Sequence, residues 1–159
     1  MKEYTDKELT LKAEAYCVAA ERCPAEVAAK LRQWGAGEDT TATVITHLLK
    51  ERFMDEARYC TAFVRDKYRF NQWGRVKIVQ ALRMKQLPPE AIETGLEAID
   101  EDEYGEGLRQ LLRQKSKGLK AANDYERRNK LLRFAFGKGY SMDEVLRHVK
   151  ELEADEWMD

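Results

Sequence analysis

Leu82-Arg83-Met84-Lys85-Gln86-Leu87-Pro88-Pro89-Glu90-Ala91-Ile92-Glu93-Thr94-Gly95-Leu96-Glu97-Ala98-Ile99 is the middle one of three stretches that share a pattern. The first begins at Leu31 and the third at Ala135, so the spacing is about 50 residues. At offsets of +14 and +17 from each anchor stand Ile45 and Leu48, then Leu96 and Ile99, then Val149 and Leu152. Offset +13 is weaker by residue type, with Val44, Gly95 and His148. Between anchor and pattern lies a turn: Trp34-Gly35-Ala36-Gly37, Lys85-Gln86-Leu87-Pro88-Pro89, or Lys138-Gly139-Tyr140-Ser141. A unit used three times forms a stacked array in which each copy buries its apolar face on its neighbour.

Outward from the anchors, the punctuation is helical. Thr5-Asp6-Lys7-Glu8 and Ser141-Met142-Asp143-Glu144 have the form of a capping box, in which a hydroxyl and a carboxylate take the unpaired amides of the first turn. Pro24 and Pro88-Pro89 sit where a first-turn proline costs no hydrogen bond. The expected helices are 6–21, 24–34, 39–52, 55–70, 74–86, 89–101, 103–118, 124–138 and 142–155. Grouped in threes, they make an all-α, elongated array of three tandem three-helix repeats, with domains 1–53, 54–101 and 102–159. Leu31, Leu48, Tyr59, Phe63, Ile78, Leu82, Leu96 and Ile99 are the expected core. Gly105, Gly107 and Gly118 are expected to bend or fray the helix over 103–118, since each costs about 1 kcal/mol relative to Ala.

Composition narrows the function classes. Charged residues make up 36% of the 159 positions and Gly plus Pro only twelve, which suits solvent-facing helices rather than a sheet with many turns. Cys17, Cys23 and Cys60 are odd in number and lack metal-ligand spacing, so they read as reduced thiols of a cytoplasmic protein. No run approaches the 18 or so apolar residues of a membrane span. His47 and His148 have no HExxH or cysteine partner and read as structural. Gly35-Ala36-Gly37 follows a helix, whereas a phosphate-binding loop follows a strand. No catalytic residue, metal site or cofactor is expected, and the chain is expected to be a monomer.

The net charge of −1 hides blocks. Arg58 to Lys85 holds eight cations against Asp66; Glu90 to Glu106 holds eight acids and no cation; Arg109 to Arg133 holds nine cations against Asp124 and Glu126. The acidic run Asp100 to Glu103 reads as a solvated helix end. Blocks of this size set local potentials that a whole-chain sum conceals. The candidate partner-binding cations are Arg58, Arg65, Lys67, Arg69, Arg75, Lys77 and Arg83 in the middle repeat, and Arg127, Arg128, Lys130 and Arg133 in the third. Phe70 and Trp73, flanked by Arg69 and Arg75, suit stacking or interface anchoring; burial in a seam between repeats is the role expected of them.

Asp55-Glu56-Ala57-Arg58-Tyr59, then Phe63-Val64-Arg65, then Gly74, Ile78 and Leu82 spell D-x-x-R-Y-x-x-x-F-V-R followed by G-x-x-x-I-x-x-x-L. This pattern resembles the RecX family of regulatory proteins, which modulate the RecA recombinase. Leu31 to Leu48 is similar to the family's first unit, and Phe134-Ala135 with Lys138-Gly139-Tyr140 to its F-L-x-x-R-G-F segment. The chain departs from the family at Cys23-Pro24, where a serine commonly leads the helix, at Gln86, where a turn glycine is usual, and at Ala135, where leucine is usual. The resemblance implies a helical non-enzyme that binds in the groove of RecA filaments on single-stranded DNA and limits strand exchange and coprotease activity. A helical nucleic-acid-binding module acting without RecA, on single-stranded or duplex DNA, is the alternative.

Overall fold

In the computed structural model, which describes residues 3–156, the three anchored turns have one geometry. The residue four after each anchor takes the left-handed conformation: Gly35 at φ 93°, Gln86 at 64° and Gly139 at 98°. The next amide, of Ala36, Leu87 or Tyr140, donates back to the anchor carbonyl of Leu31, Leu82 or Ala135 at 2.9, 3.3 and 3.1 Å. This bond satisfies a carbonyl that the ending helix leaves without a partner. Glutamine in place of the usual turn glycine therefore leaves the turn intact, at the energetic cost of a side chain in the left-handed region.

The helices are α1 (Asp6–Ala19), α2 (Pro24–Gln33), α3 (Glu38–Lys50), α4 (Glu56–Phe70), α5 (Arg75–Met84), α6 (Pro89–Leu96), α7 (Glu101–Lys117), α8 (Asp124–Gly137) and α9 (Met142–Glu156). The described residues contain no strand, and the chain is a tandem helical repeat array. The sequence places every helix, with one substantive shift. The sixth ends at Leu96, not 101, and the acidic run opens α7, with Asp100 accepting the Glu103 amide at 3.0 Å. Carboxylates suit that position because the first turn carries unpaired amides and a partial positive charge. Nor does α7 break at its glycines: it is continuous from Glu101 to Lys117, with Gly118 as its C-cap.

Two compact units divide the described chain. One comprises residues up to Ala62 together with Leu82–Gly95; the other comprises Phe63–Ala81 and the residues from Leu96 onward. In the first, α1, α2 and α3 pack around Leu9, Ala13, Cys17, Val27, Leu31, Val44, Leu48 and Met54. In the second, α7, α8 and α9 bury Tyr104, Leu108, Leu112, Leu131, Ala135, Val145 and Val149. Leu31, Leu48, Tyr59, Ile78, Leu82 and Ile99 are buried as expected. Leu96 and Phe63 are only half-buried, and each yields the deeper place to the residue beside it, Gly95 and Val64.

That exchange explains offset +13. Val44, Gly95 and His148 are all buried although their types share nothing. Gly95 lies against Cys60 so closely that a Cβ there would stand 2.7 Å from the Cys60 Cβ and 2.9 Å from its carbonyl carbon, so only glycine fits. The imidazole of His148 fills the space over Gly105, whose added Cβ would meet the ring at 3.7 Å.

Candidate functional site

The cations of the basic blocks fall into two groups according to what holds them. Arg58 Nε lies 2.6 Å from Glu21 Oε2, and this pairing raises the pKa of the guanidinium. Arg69 Nε donates to Glu103 at 2.7 Å. Arg75 is clasped by Glu101 and by Glu144, the latter at 3.3 Å, with its guanidinium 4.4 Å from the Tyr104 ring centre. The Tyr104 hydroxyl accepts the Arg75 amide at 3.0 Å and donates to Glu144 at 2.9 Å, so Arg75 is built into a partly buried network. Burial is the main cause that pushes the Tyr104 hydroxyl well above the ordinary phenol range, which keeps it a donor. The start of α7 is therefore more than a solvated end: Glu101 and Glu103 neutralise two of the candidate cations.

In the third repeat the same division holds. Arg128 Nε lies 2.6 Å from Glu153, and Lys130 lies 2.9 Å from Glu126 and 2.8 Å from the Lys120 carbonyl. Arg127 donates to the Ser116 carbonyl at 2.9 Å near the end of α7, where a cation complements unpaired carbonyls. Arg133 is exposed and has no ion-pair partner among the described residues; it lines a groove of about 390 Å³ with Lys115, Leu119, Lys130 and Phe134.

Lys67 and Lys77 are held differently. Their ammonium nitrogens lie 4.8 and 4.6 Å from the Trp73 ring centre, and Lys67 lies 5.4 Å from the Phe63 ring. Phe63 meets Trp73 edge to face at 6.3 Å. A carboxylate cancels the field of a cation, whereas a ring steadies it by about 0.5–1 kcal/mol at an exposed site and leaves the charge available. Phe70 shares the α4 face of Phe63 and Lys67, one turn further on, and is 80% exposed. Its expected burial in a seam is thus overturned; Trp73 is half-buried. Arg65, next to this face in sequence, is exposed without an ion-pair partner among the described residues, as is Arg83 in the other unit.

Backbone contacts fix this cluster. Between α4 and α5, the Gly74 amide donates to the Lys138 carbonyl at 2.8 Å and the Val76 amide to the Gly139 carbonyl at 3.0 Å. Lys138 Nζ and the Tyr140 hydroxyl donate to the carbonyls of Asn71 and Gln72 at 2.8 and 3.1 Å. A Cβ on Gly74 would fall 2.3 Å from the Gly139 carbonyl, and one on Gly139 would fall 2.3 Å from the Lys77 Cβ. Chains this close exclude any side chain at either position.

The cysteines and histidines are packed or paired. All three cysteines are free and buried, and burial pushes the Cys60 thiol up to about 11. His47 pairs with Glu14 at 2.8 Å and His148 with Glu151 at 3.2 Å. Among the described residues no group of three or more His, Cys, Asp and Glu is arranged to hold a metal, and no helix is long and apolar enough to cross a membrane.

Comparisons with known proteins bear on the family and the fold. Residues 55–96 match the model of the second three-helix domain of RecX, and residues 101–149 that of the third. The chain is 34% identical over 128 residues to the regulatory protein RecX of Clostridium botulinum strain Eklund 17B, covering 79% of this chain and 59% of that one. A 29% identity over 142 residues links it to RecX of Mycobacterium sp. strain KMS, covering 84% and 78%. It thus spans about three fifths of the length of the clostridial relatives it matches. The fold matches the crystal structure of RecX from Lactobacillus salivarius with a TM-score of 0.84 at 21% identity, over 94% of this chain and 97% of that one.

Proposed function

The chain belongs to the RecX family of regulatory proteins, and from that premise we propose that it binds RecA filaments on single-stranded DNA and restrains strand exchange and coprotease activity. It does so without catalysis, as a cytoplasmic monomer built from repeats 1–53, 54–101 and 102–159. The contact surface is the α4–α5 face of Lys67, Trp73 and Lys77, extended by Phe70 and Arg65.

One observation carries this assignment: Lys67 and Lys77 rest on an indole rather than on carboxylates, beside an exposed phenylalanine. A surface with free positive charge and a large apolar ring suits a partner that presents phosphates or acidic side chains around an apolar pocket. Arg58, Arg69, Arg75 and Arg128 contribute less, because binding would first have to break their carboxylate pairs. Arg127 and Lys130 serve chiefly to hold α7 and α8, whereas Arg133 remains open to a partner.

Co-sedimentation with the cognate RecA tests the proposal. The protein is expected to pellet with RecA filaments assembled on single-stranded DNA, and much less with RecA alone or with bare DNA. The groove of Lys115, Arg133 and Phe134 favours a second reading, a nucleic-acid module acting alone. Equal binding to bare DNA with and without RecA would establish that reading and sink the first.

A further inference from the structure

A second cation–aromatic surface stands on the first repeat, outside the segments matched by the family models. Lys12 and Tyr16 lie one turn apart on α1, and Lys30 lies one turn before Trp34 at the end of α2. Lys12 Nζ is 4.7 Å from both the Tyr4 and Trp34 ring centres. Lys30 Nζ is 5.7 Å from Tyr16 and 5.9 Å from Trp34. The Arg22 guanidinium carbon stands 3.8 Å from the Tyr16 ring centre, and its Nε donates to the Tyr16 carbonyl at 3.1 Å. Tyr16 and Trp34 meet edge to face at 6.2 Å, and both rings, with Tyr4, pack against the core of the first unit.

Among the described residues, none of Lys12, Arg22 and Lys30 has a carboxylate at ion-pair distance, whereas Arg58 in the same unit is bound to Glu21. Three cations are thus concentrated on one half-buried aromatic platform with their charge uncancelled. We propose that this face binds a short stretch of single-stranded nucleic acid, with phosphates on Lys12, Lys30 and Arg22 and a base on the Trp34 or Tyr16 ring.

Energetics favours the exchange that binding requires. A base that takes the place of an ammonium over the indole forfeits about 0.5–1 kcal/mol of cation–ring attraction. It gains about 1–3 kcal/mol of stacking, and the displaced ammonium is free to meet a phosphate. Because both ammoniums lie near one ring, their separation is at most about 10.6 Å. A short run of consecutive phosphates on a single strand covers that span. An acidic polypeptide would satisfy the cations but make no use of ring faces set between them, so nucleic acid is the better fit. This site is separate from the second-repeat surface and does not depend on it.

The test uses the full chain and a fluorescein-labelled oligo(dT) 20-mer, with anisotropy titrations over a sodium chloride series. Changing Lys12 and Lys30 together to Gln is expected to weaken binding at least fivefold at low salt and to flatten the salt slope by about 1.4, at about 0.7 per phosphate contact on a single strand. The charge-retaining pair K12R and K30R restores both, which separates loss of charge from loss of fold. Poly-L-glutamate is the protein-like control; because it makes no use of the rings, it is expected to bind the unaltered chain at least tenfold more weakly than the oligonucleotide at equal salt. An unchanged slope, or poly-L-glutamate binding as tight as the oligonucleotide's, would overturn the proposal. Lys67 and Lys77 are untouched throughout, so either result leaves the filament reading standing, and failure of the filament reading leaves this one standing.

Discussion

Replacing Gly74 with Ala probes the backbone-to-backbone junction that positions Trp73 and Lys77. The new methyl would lie 2.3 Å from the carbonyl carbon and oxygen of Gly139 and 2.5 Å from the Tyr140 nitrogen, all main-chain atoms with no rotamer to change. The two segments must part, at about 1–3 kcal/mol for overpacking. Parting also lengthens the Gly74–Lys138 and Val76–Gly139 bonds, each a contribution of about 1 kcal/mol. The expected destabilisation is therefore about 3–5 kcal/mol, which at a urea m-value of about 2 kcal/mol/M lowers the midpoint by about 1.5–2.5 M. Gly107 supplies the matched control. It lies inside α7 with open space where a Cβ would go, so Gly107→Ala is expected to stabilise by about 0.5–1 kcal/mol through helix propensity alone. Urea unfolding followed by circular dichroism at 222 nm reads both. A Gly74→Ala protein within about 0.5 kcal/mol of wild type, the scale of an ordinary surface change, would refute the close approach.

Other consequences can be measured on the same protein. Gln86→Gly is expected to raise stability by about 0.5–1 kcal/mol, because relief of the left-handed side chain outweighs the added chain entropy; a fall in the urea midpoint would contradict this. Burial alone would raise the Glu26 carboxyl, but the Cys23 amide, 3.1 Å away, and Lys85 outweigh it and hold the carboxyl below its ordinary value of 4.5. A depressed carboxyl stabilises fully above the unfolded value and loses that contribution as pH falls through the folded one, so Glu26→Gln should lessen the loss of stability below about pH 4.5 in acid titrations. Exchanging both Glu101 and Glu103 for Gln releases Arg69 and loosens Arg75; binding to bare single-stranded DNA should strengthen and its salt slope steepen by about 0.7 for each arginine that reaches a phosphate, and an unchanged slope would show that these carboxylates do not shield them.

Helices, turns and repeats were legible because local rules govern them: anchors at fixed spacing, caps in the first turn, apolar positions on one face. Burial at offset +13 was not, because Gly95 answers to the Cys60 backbone and His148 to the gap over Gly105, both distant in sequence. Charge blocks were visible, but block sums do not reveal pairing. The acids that neutralise Arg69 and Arg75 lie 34 and 26 residues away, at Glu103 and Glu101. The first-repeat surface forms no charge block, because Lys12, Arg22 and Lys30 are scattered among acids along the chain. A local signal was present all the same. Lys12–Tyr16, Lys30–Trp34 and Phe63–Lys67 are each four residues apart, the spacing that sets two side chains together on a helix; Trp73–Lys77 has the same spacing, although Trp73 precedes α5. Phe70 looked like a core residue because it is large and apolar; only the structure shows that nothing covers most of it.

The most direct test of the central claim is the affinity of the Lys67→Gln, Lys77→Gln double variant for cognate RecA filaments on single-stranded DNA, read by anisotropy of a labelled strand in the filament. Arg69→Gln serves as the control, since Glu103 already neutralises that cation. The double variant, shown by circular dichroism to be folded, is expected to bind at least tenfold more weakly, equivalent to about 1.4 kcal/mol, and the control less than threefold. A double variant within about twofold of wild type, or a control that loses as much, would contradict the assignment of the binding surface to the cations held by Trp73.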